Sequence, residues 1–305
     1  MTPDEPARAA HLDLPVTLLR VSMFPVRPWR VPPYAGVTLR GAIGHAFRMR
    51  HCTEPDRPQC KGCPRLEDCV VPGWFDPGLR GSSDARPIAL RVVRGGSVGL
   101  DRPIVIVLAV LGEVPAPARF LAAIRDAGAS GLGGERVPHH AGPIEVTGER
   151  RVLAEPGENI DWPAPARLSD LLDHPEHPTR CVVRFRSPFR WSKERPSEVG
   201  ISADLLFKAA LARLRGAQRL LGLPAHPRFG SPGDVRVVRQ DLRWFDGGRR
   251  SRRQEFNWVW LGGVVGRVML EGDLAALAPL LAAAEVLQLG RATSAGLGAI
   301  SVDWQ

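Results

Sequence analysis

The sequence predicts an α+β protein built from two tandem ferredoxin-like domains, with a four-cysteine insertion in the first. Three observations carry that prediction. Two Gly-Leu-Gly triplets, Gly131-Leu132-Gly133 and Gly296-Leu297-Gly298, lie 165 residues apart. Each follows an apolar helical run and precedes a strand-like run, so neither has the strand-then-helix context of a dinucleotide fingerprint. The same offset of 165 relates the strand-like residues 16–24 to residues 181–189, with Ser22 matching Ser187 and Phe24 matching Phe189. An offset recurring at both ends of each half reads as an internal duplication. A length of 305 residues suits two domains.

The elements follow in that order. Residues 1–13 form an N-terminal tail, and residues 14–153 the first domain. A strand over 14–24 leads into a loop broken by Pro25, Pro28, Pro32 and Pro33, which remove donors. Thr38 is placed to cap a helix over 39–50. On its wheel Leu39, Ala42, Ile43, Ala46 and Phe47 share one face, while Gly41, His45 and Arg48 point outward. Strands over 87–93 and 104–111 surround a turn at Gly95-Gly96-Ser97. A helix over 120–127, the first glycine loop and a strand over 144–152 complete a β-α-β-β-α-β order. The adjacent His139 and His140 point in different directions and make no metal pair. Residues 154–179, rich in Pro, Asp and Glu, form a linker with a short helical patch at 168–172. The second domain, 180–305, repeats the order. Its helices cover 205–221 and 274–287, and its central strands 235–244 and 256–268.

The formal charge is +9 and the isoelectric point near 10.3. Of 41 cations only Lys61, Lys193 and Lys208 are lysine. Arginine's planar fork donates in pairs and stacks on bases, so this balance points to a polyanion, most simply nucleic acid. The densest positive spot is Arg249-Arg250-Ser251-Arg252-Arg253, at the tip of a hairpin between the central strands of the second domain. It reads as a phosphate-binding finger. The acidic, proline-containing N-terminus is not a signal peptide, and no run of ~18 apolar residues suggests a membrane span. A cytoplasmic location, where thiols stay reduced, is the expectation.

Four of the five cysteines fall within 18 residues: Cys52, Cys60, Cys63 and Cys69. The spacing, with two residues between Cys60 and Cys63, suits four thiolates around a structural zinc; an iron–sulfur cluster is the alternative. No carboxylate cluster suggests a catalytic metal.

The chain resembles the CRISPR precursor-RNA-processing endoribonucleases of the RAMP superfamily. The resemblance rests on Pro32-Pro33-Tyr34-Ala35-Gly36 with residues 39–46, the cysteine cluster followed by Trp74-Phe75, residues 250–254, Leu261 to Gly266, and the final glycine loop. It implies binding of CRISPR repeat RNA and one cut at or beside its stem, without metal, by attack of a ribose 2′-hydroxyl on the adjacent phosphorus. Other subunits of CRISPR effector complexes are further partners it implies. Histidine can do proton work near neutral pH. The family often places a histidine on the first helix, with a tyrosine before it and a lysine after it. His45 matches the histidine and Tyr34 the tyrosine. No lysine follows, so Arg48 or Arg50 would supply the charge. His51 is the second choice of histidine. Arg249, Arg250, Arg252 and Arg253 would hold phosphates, with Lys193 and Arg291 as further contacts. Gly296 and Gly298 would let the main chain approach the RNA closely. A non-cleaving RNA-binding subunit is the alternative.

Overall fold

A computed structural model describes residues 12–54, 56–57, 60–75, 86–94, 96–114, 116–146, 151–153, 162, 164–192, 195, 199–224, 232–250 and 258–305. Its contacts divide the chain into two compact units. One holds residues 15–165 together with 294–296; the other holds 1–14, 166–293 and 297–305.

In the first unit, β1 (Pro15–Pro25) is followed by α1 (Gly36–His51), the short α2 (Val70–Phe75), β2 (Ile88–Arg94), β3 (Ile104–Leu111), α3 (Pro117–Ala129), β4 (His139–Val146) and β5 (Arg151–Leu153). The sheet order is β2-β3-β1-β4-β5. In the second unit, β6 (Arg180–Phe189), α4 (Ala203–Leu220) and β7 (Arg236–Phe245) precede a two-stranded ribbon, β8 (Gly248–Arg250) and β9 (Trp258–Trp260). Then come β10 (Gly263–Glu271), α5 (Ala278–Leu287) and β11 (Ile300–Trp304), with the order β7-β10-β6-β11. Counting the main strands of each unit, both sheets run second-third-first-fourth, with every neighbouring pair antiparallel. This is the expected ferredoxin-like pairing, made twice.

The glycine triplets keep their offset in three dimensions. Gly131 and Gly296 have φ of 89° and 81°, Gly133 and Gly298 both 75°, and Leu132 and Leu297 are each buried. The strands keep it only to within one residue. Leu19, Val21 and Met23 of β1 are wholly buried; in β6 Cys181, Val182, Val183, Phe185, Ser187 and Phe189 are buried, and Arg184 and Arg186 are not. An offset of 165 would set buried Leu19 on half-exposed Arg184. A slip of one residue inverts a strand's faces, so burial matches Leu19 with Val183 or Phe185 and not with Arg184. Phe24, half-buried, is therefore no counterpart of the fully buried Phe189.

The first core forms where α1 meets α3. Phe47 lies 6.0 Å from Phe120 and 5.8 Å from Trp74, ring centre to ring centre. In the second unit Ser202 caps α4, accepting from the Leu205 N–H at 3.1 Å. Arg213 of α4 is almost wholly buried and donates through Nε to the Leu287 carbonyl at 2.9 Å. A cation there satisfies an orphan carbonyl at the C-terminus of α5 and opposes its dipole. Burial lowers the guanidinium's pKa to about 10, so it stays charged at neutral pH. Arg213→Ala is expected to cost about 3 kcal/mol, read as a lower melting temperature.

Several boundaries differ from expectation; the strand expected over 144–152 is the two strands β4 and β5, paired antiparallel with Ile144 opposite Leu153. The strand expected over 256–268 is broken, among the described residues, at Leu261 and Gly262, where the Leu261 N–H donates to the Gly247 carbonyl and closes the ribbon. Helix 274–287 begins at Ala278 behind a turn, with Pro279 in its first turn. The linker's helical patch is a 3₁₀ turn over Leu168–Leu171.

Candidate functional site

The candidate site is built on α1. Ala35, not Thr38, occupies its N-cap position, and no side chain caps it. Gly36 opens the helix because nothing larger fits: a Cβ there would lie 2.7 Å from both the Ala295 carbonyl oxygen and the Gly296 Cα. Tyr34, half-buried, sits in the preceding turn at φ 56°, a left-handed conformation that costs a non-glycine residue energy. Leu39, Ile43, Ala46 and Phe47 face the core. Gly44 gives room to the Phe75 ring, which a Cβ would meet at 2.9 Å. His45 lies on the opposite side, exposed.

Arg48 does not face outward with it. It is 8% exposed, and its guanidinium donates to the Arg57 carbonyl. The wheel considered the helix alone; the chain that follows returns along this flank, and the long arginine stem is buried beneath it. Arg50 is engaged by Asp126 through two hydrogen bonds, at 2.5 and 3.0 Å. His51 stacks on Phe47 at 4.0 Å. Burial first, then the charges of Arg119 and Arg50, push its pKa below the ordinary histidine value. It is half-buried, whereas His45 stands in solvent.

Ser294 to Gly296 of the final glycine loop belong to the same unit as α1. Arg86, half-buried, donates to Ser294 Oγ at 3.2 Å, a contact no local sequence pattern marks. Gly298 is needed for close packing: a Cβ would fall 1.8 Å from the Leu289 carbonyl oxygen. Its N–H donates inward to the Pro188 carbonyl at 2.9 Å, so it is not aimed at a ligand. Arg291 is exposed, and its backbone N–H holds the Arg190 carbonyl.

The arginine hairpin exists as the β8–β9 ribbon, which pairs Arg249 with Val259 and Arg250 with Trp258. Arg252, Arg253 and Lys193 lie outside the described residues. Replacing Arg249, Arg250, Arg252 and Arg253 with glutamine should weaken RNA binding. It should also flatten the dependence of log K on log salt by about 3, measured by titration across salt concentrations.

The cysteine expectation is not met by the geometry. Cys52, Cys60, Cys63 and Cys69 form no disulfide and are half-buried. Among the described residues no three His, Cys, Asp or Glu side chains gather as a metal-binding set. Cys60 and Cys69 instead pack against the first core, where a thiol behaves as a small apolar group. The chain between the cysteines turns through backbone bonds, Cys63 N–H to Cys60 O and Cys69 N–H to Arg65 O. Among the described residues no helix is long and apolar enough to cross a membrane.

A search of curated proteins finds no match. Two family models match in tandem. Residues 14–161 match an N-terminal domain family, AF_1859_N, and residues 183–300 match the CRISPR-associated endoribonuclease Cas6. The arginine hairpin and the final glycine loop fall inside that Cas6 match, while His45 and Tyr34 fall inside the N-terminal one. Solved structures match the fold over most of the chain. One Cas6 product complex is 16% identical, covering 94% of this chain and 100% of its own, with a TM-score of 0.57. A second Cas6 product complex is 18% identical, covering 94% and 99%, at 0.51. A partial Cas6-RT-Cas1–Cas2 complex is 11% identical, covering 96% of this chain and 46% of its own, at 0.52. At these identities the likeness establishes the fold alone, two tandem ferredoxin-like domains.

Proposed function

We propose that the chain is an endoribonuclease that cuts CRISPR repeat RNA. The observation that carries this reading is the Cas6 match over residues 183–300. The exposed His45 on the first helix supports it. The ribose 2′-hydroxyl attacks the adjacent phosphorus and the bond to the departing 5′-oxygen breaks. One product ends in a 2′,3′-cyclic phosphate and the other begins with a 5′-hydroxyl. The step needs a base for the 2′-hydroxyl and an acid for the leaving oxygen. The His45 imidazole supplies this proton transfer, with the Tyr34 hydroxyl as helper. Arg48 has no part in it, because its guanidinium is buried and bonded to main chain. The hairpin arginines, with Arg291 and Lys193, hold RNA backbone phosphates. Metal is not required by this chemistry, and the four cysteines play no role in it.

The burial of Arg48 favours one second reading, a non-cleaving RNA-binding subunit of a CRISPR ribonucleoprotein. It keeps the basic hairpin and needs no His45. Incubating the purified protein with labelled repeat RNA separates the two. Shortened product supports the nuclease; a stable complex with intact RNA supports the subunit and contradicts the nuclease.

A further inference from the structure

The second unit carries a polar and aromatic group that the cleavage chemistry does not use. Trp244, near the end of β7, is half-buried, so part of its indole reaches solvent. Its Nε1–H donates to Asp246 Oδ1 at 2.8 Å, which fixes the ring. Gly262, where the ribbon rejoins the sheet, closes against one edge; a Cβ there would meet Nε1 at 3.1 Å. The guanidinium of Arg195 lies over the indole, 5.6 Å from its centre, and pairs with Asp246 Oδ2 at 3.3 Å. Both charged side chains are 59% exposed, so this ion pair is weak and readily exchanged. A rigid ring, a loosely held planar cation above it and a carboxylate at its rim sit at the base of the arginine hairpin.

We propose that Trp244, Arg195 and Asp246 form a stacking subsite for one unpaired RNA base, a base that carries an exocyclic amine. The inference rests on the RNA-binding reading above and adds a contact to it. Every base has a π-face for the indole, and Arg195 stacks from the other side as it swings off the ring. Asp246 excludes a phosphate from this spot. With one oxygen taken by the indole N–H, its remaining lone pairs accept from an amino group, such as N4 of cytosine or N6 of adenine. Uracil flanks its single N–H with two carbonyl oxygens that the carboxylate repels. The hairpin arginines then hold the neighbouring phosphates.

The test uses the full chain and fluorescein-labelled oligo(C), oligo(A) and oligo(U), with affinities from anisotropy and folding from thermal melting. The wild type should bind oligo(C) and oligo(A) roughly tenfold more tightly than oligo(U). Trp244→Ala should weaken oligo(C) and oligo(A) by roughly tenfold to a hundredfold. Trp244→Phe keeps a stacking face and should recover most of that loss. Asp246→Asn should bring oligo(C) down toward oligo(U) with little change for oligo(U). Equal affinity of the wild type for all three strands, or Trp244→Ala binding like the wild type, overturns the subsite. Should Trp244→Ala unfold, an unchanged preference in Asp246→Asn overturns it instead. Cleavage of repeat RNA is scored separately, so a failed subsite and a failed nuclease reading give different results.

Discussion

Replacing His45 with alanine should slow cleavage of repeat RNA by roughly a hundredfold to ten-thousandfold, the range expected for losing a positioned proton-transfer group. RNA affinity and melting temperature should hardly change. The reason lies in the way α1 is built. Its apolar stripe of Leu39, Ile43, Ala46 and Phe47 anchors the helix, and His45 projects from the other side. The histidine is not among the buried residues, and alanine is a better helix former, so the fold has little to lose. Single-turnover cleavage at saturating protein measures the effect on chemistry apart from binding. His51→Ala is the contrast. It removes a ring stacked on Phe47, so it should lower stability and affect cleavage far less. If His51→Ala stops cleavage while His45→Ala does not, the proton-transfer role has been given to the wrong histidine.

Gly298→Ala should be the most damaging single methyl in the second unit. At φ 75°, with a carbonyl oxygen 1.8 Å from the ideal Cβ position, alanine is strained twice. The left-handed backbone costs a non-glycine residue of order 1 kcal/mol or more, and the overlap with backbone forces the turn to open. A total of about 3 kcal/mol is expected, close to a 10 °C fall in melting temperature for a domain of this size. Opening the turn would also break the bonds from Gly298 to Pro188 and from Leu289 to Gly298 that fasten β11 beside β6. Gly134→Ala is the control, since a Cβ there meets nothing within 4 Å. Gly298→Ala and Gly134→Ala melting alike would show that the loop tolerates side chains and that its glycines have another purpose.

Much of this architecture was legible in the sequence. Strand 104–111 is apolar throughout and was placed to the residue, and the glycine triplets were matched with their left-handed conformations intact. Both are local signals: continuous burial leaves no polar gaps, and positive φ demands glycine. What failed depended on chain far away or on a single step of phase. The wheel turned Arg48 outward because it contained no information about residue 57. Two strands matched on Ser22 with Ser187 were aligned one residue out, since identities at a few positions cannot outweigh alternation along the whole strand. The cysteine spacing suggested a metal because four thiols close in sequence can converge; here two of them are used as core instead. Trp244, Arg195 and Asp246 gave no signal at all, since Arg195 reaches the indole from another segment of chain, 49 residues away.

The most direct test of the nuclease reading is the chemistry of the ends it leaves. Wild-type protein is incubated with repeat RNA in excess EDTA and the products are resolved by mass. A 2′,3′-cyclic phosphate on the upstream fragment and a 5′-hydroxyl on the downstream one are the expected result. Cleavage that stops in EDTA, or that leaves a 3′-hydroxyl and a 5′-phosphate, would contradict it.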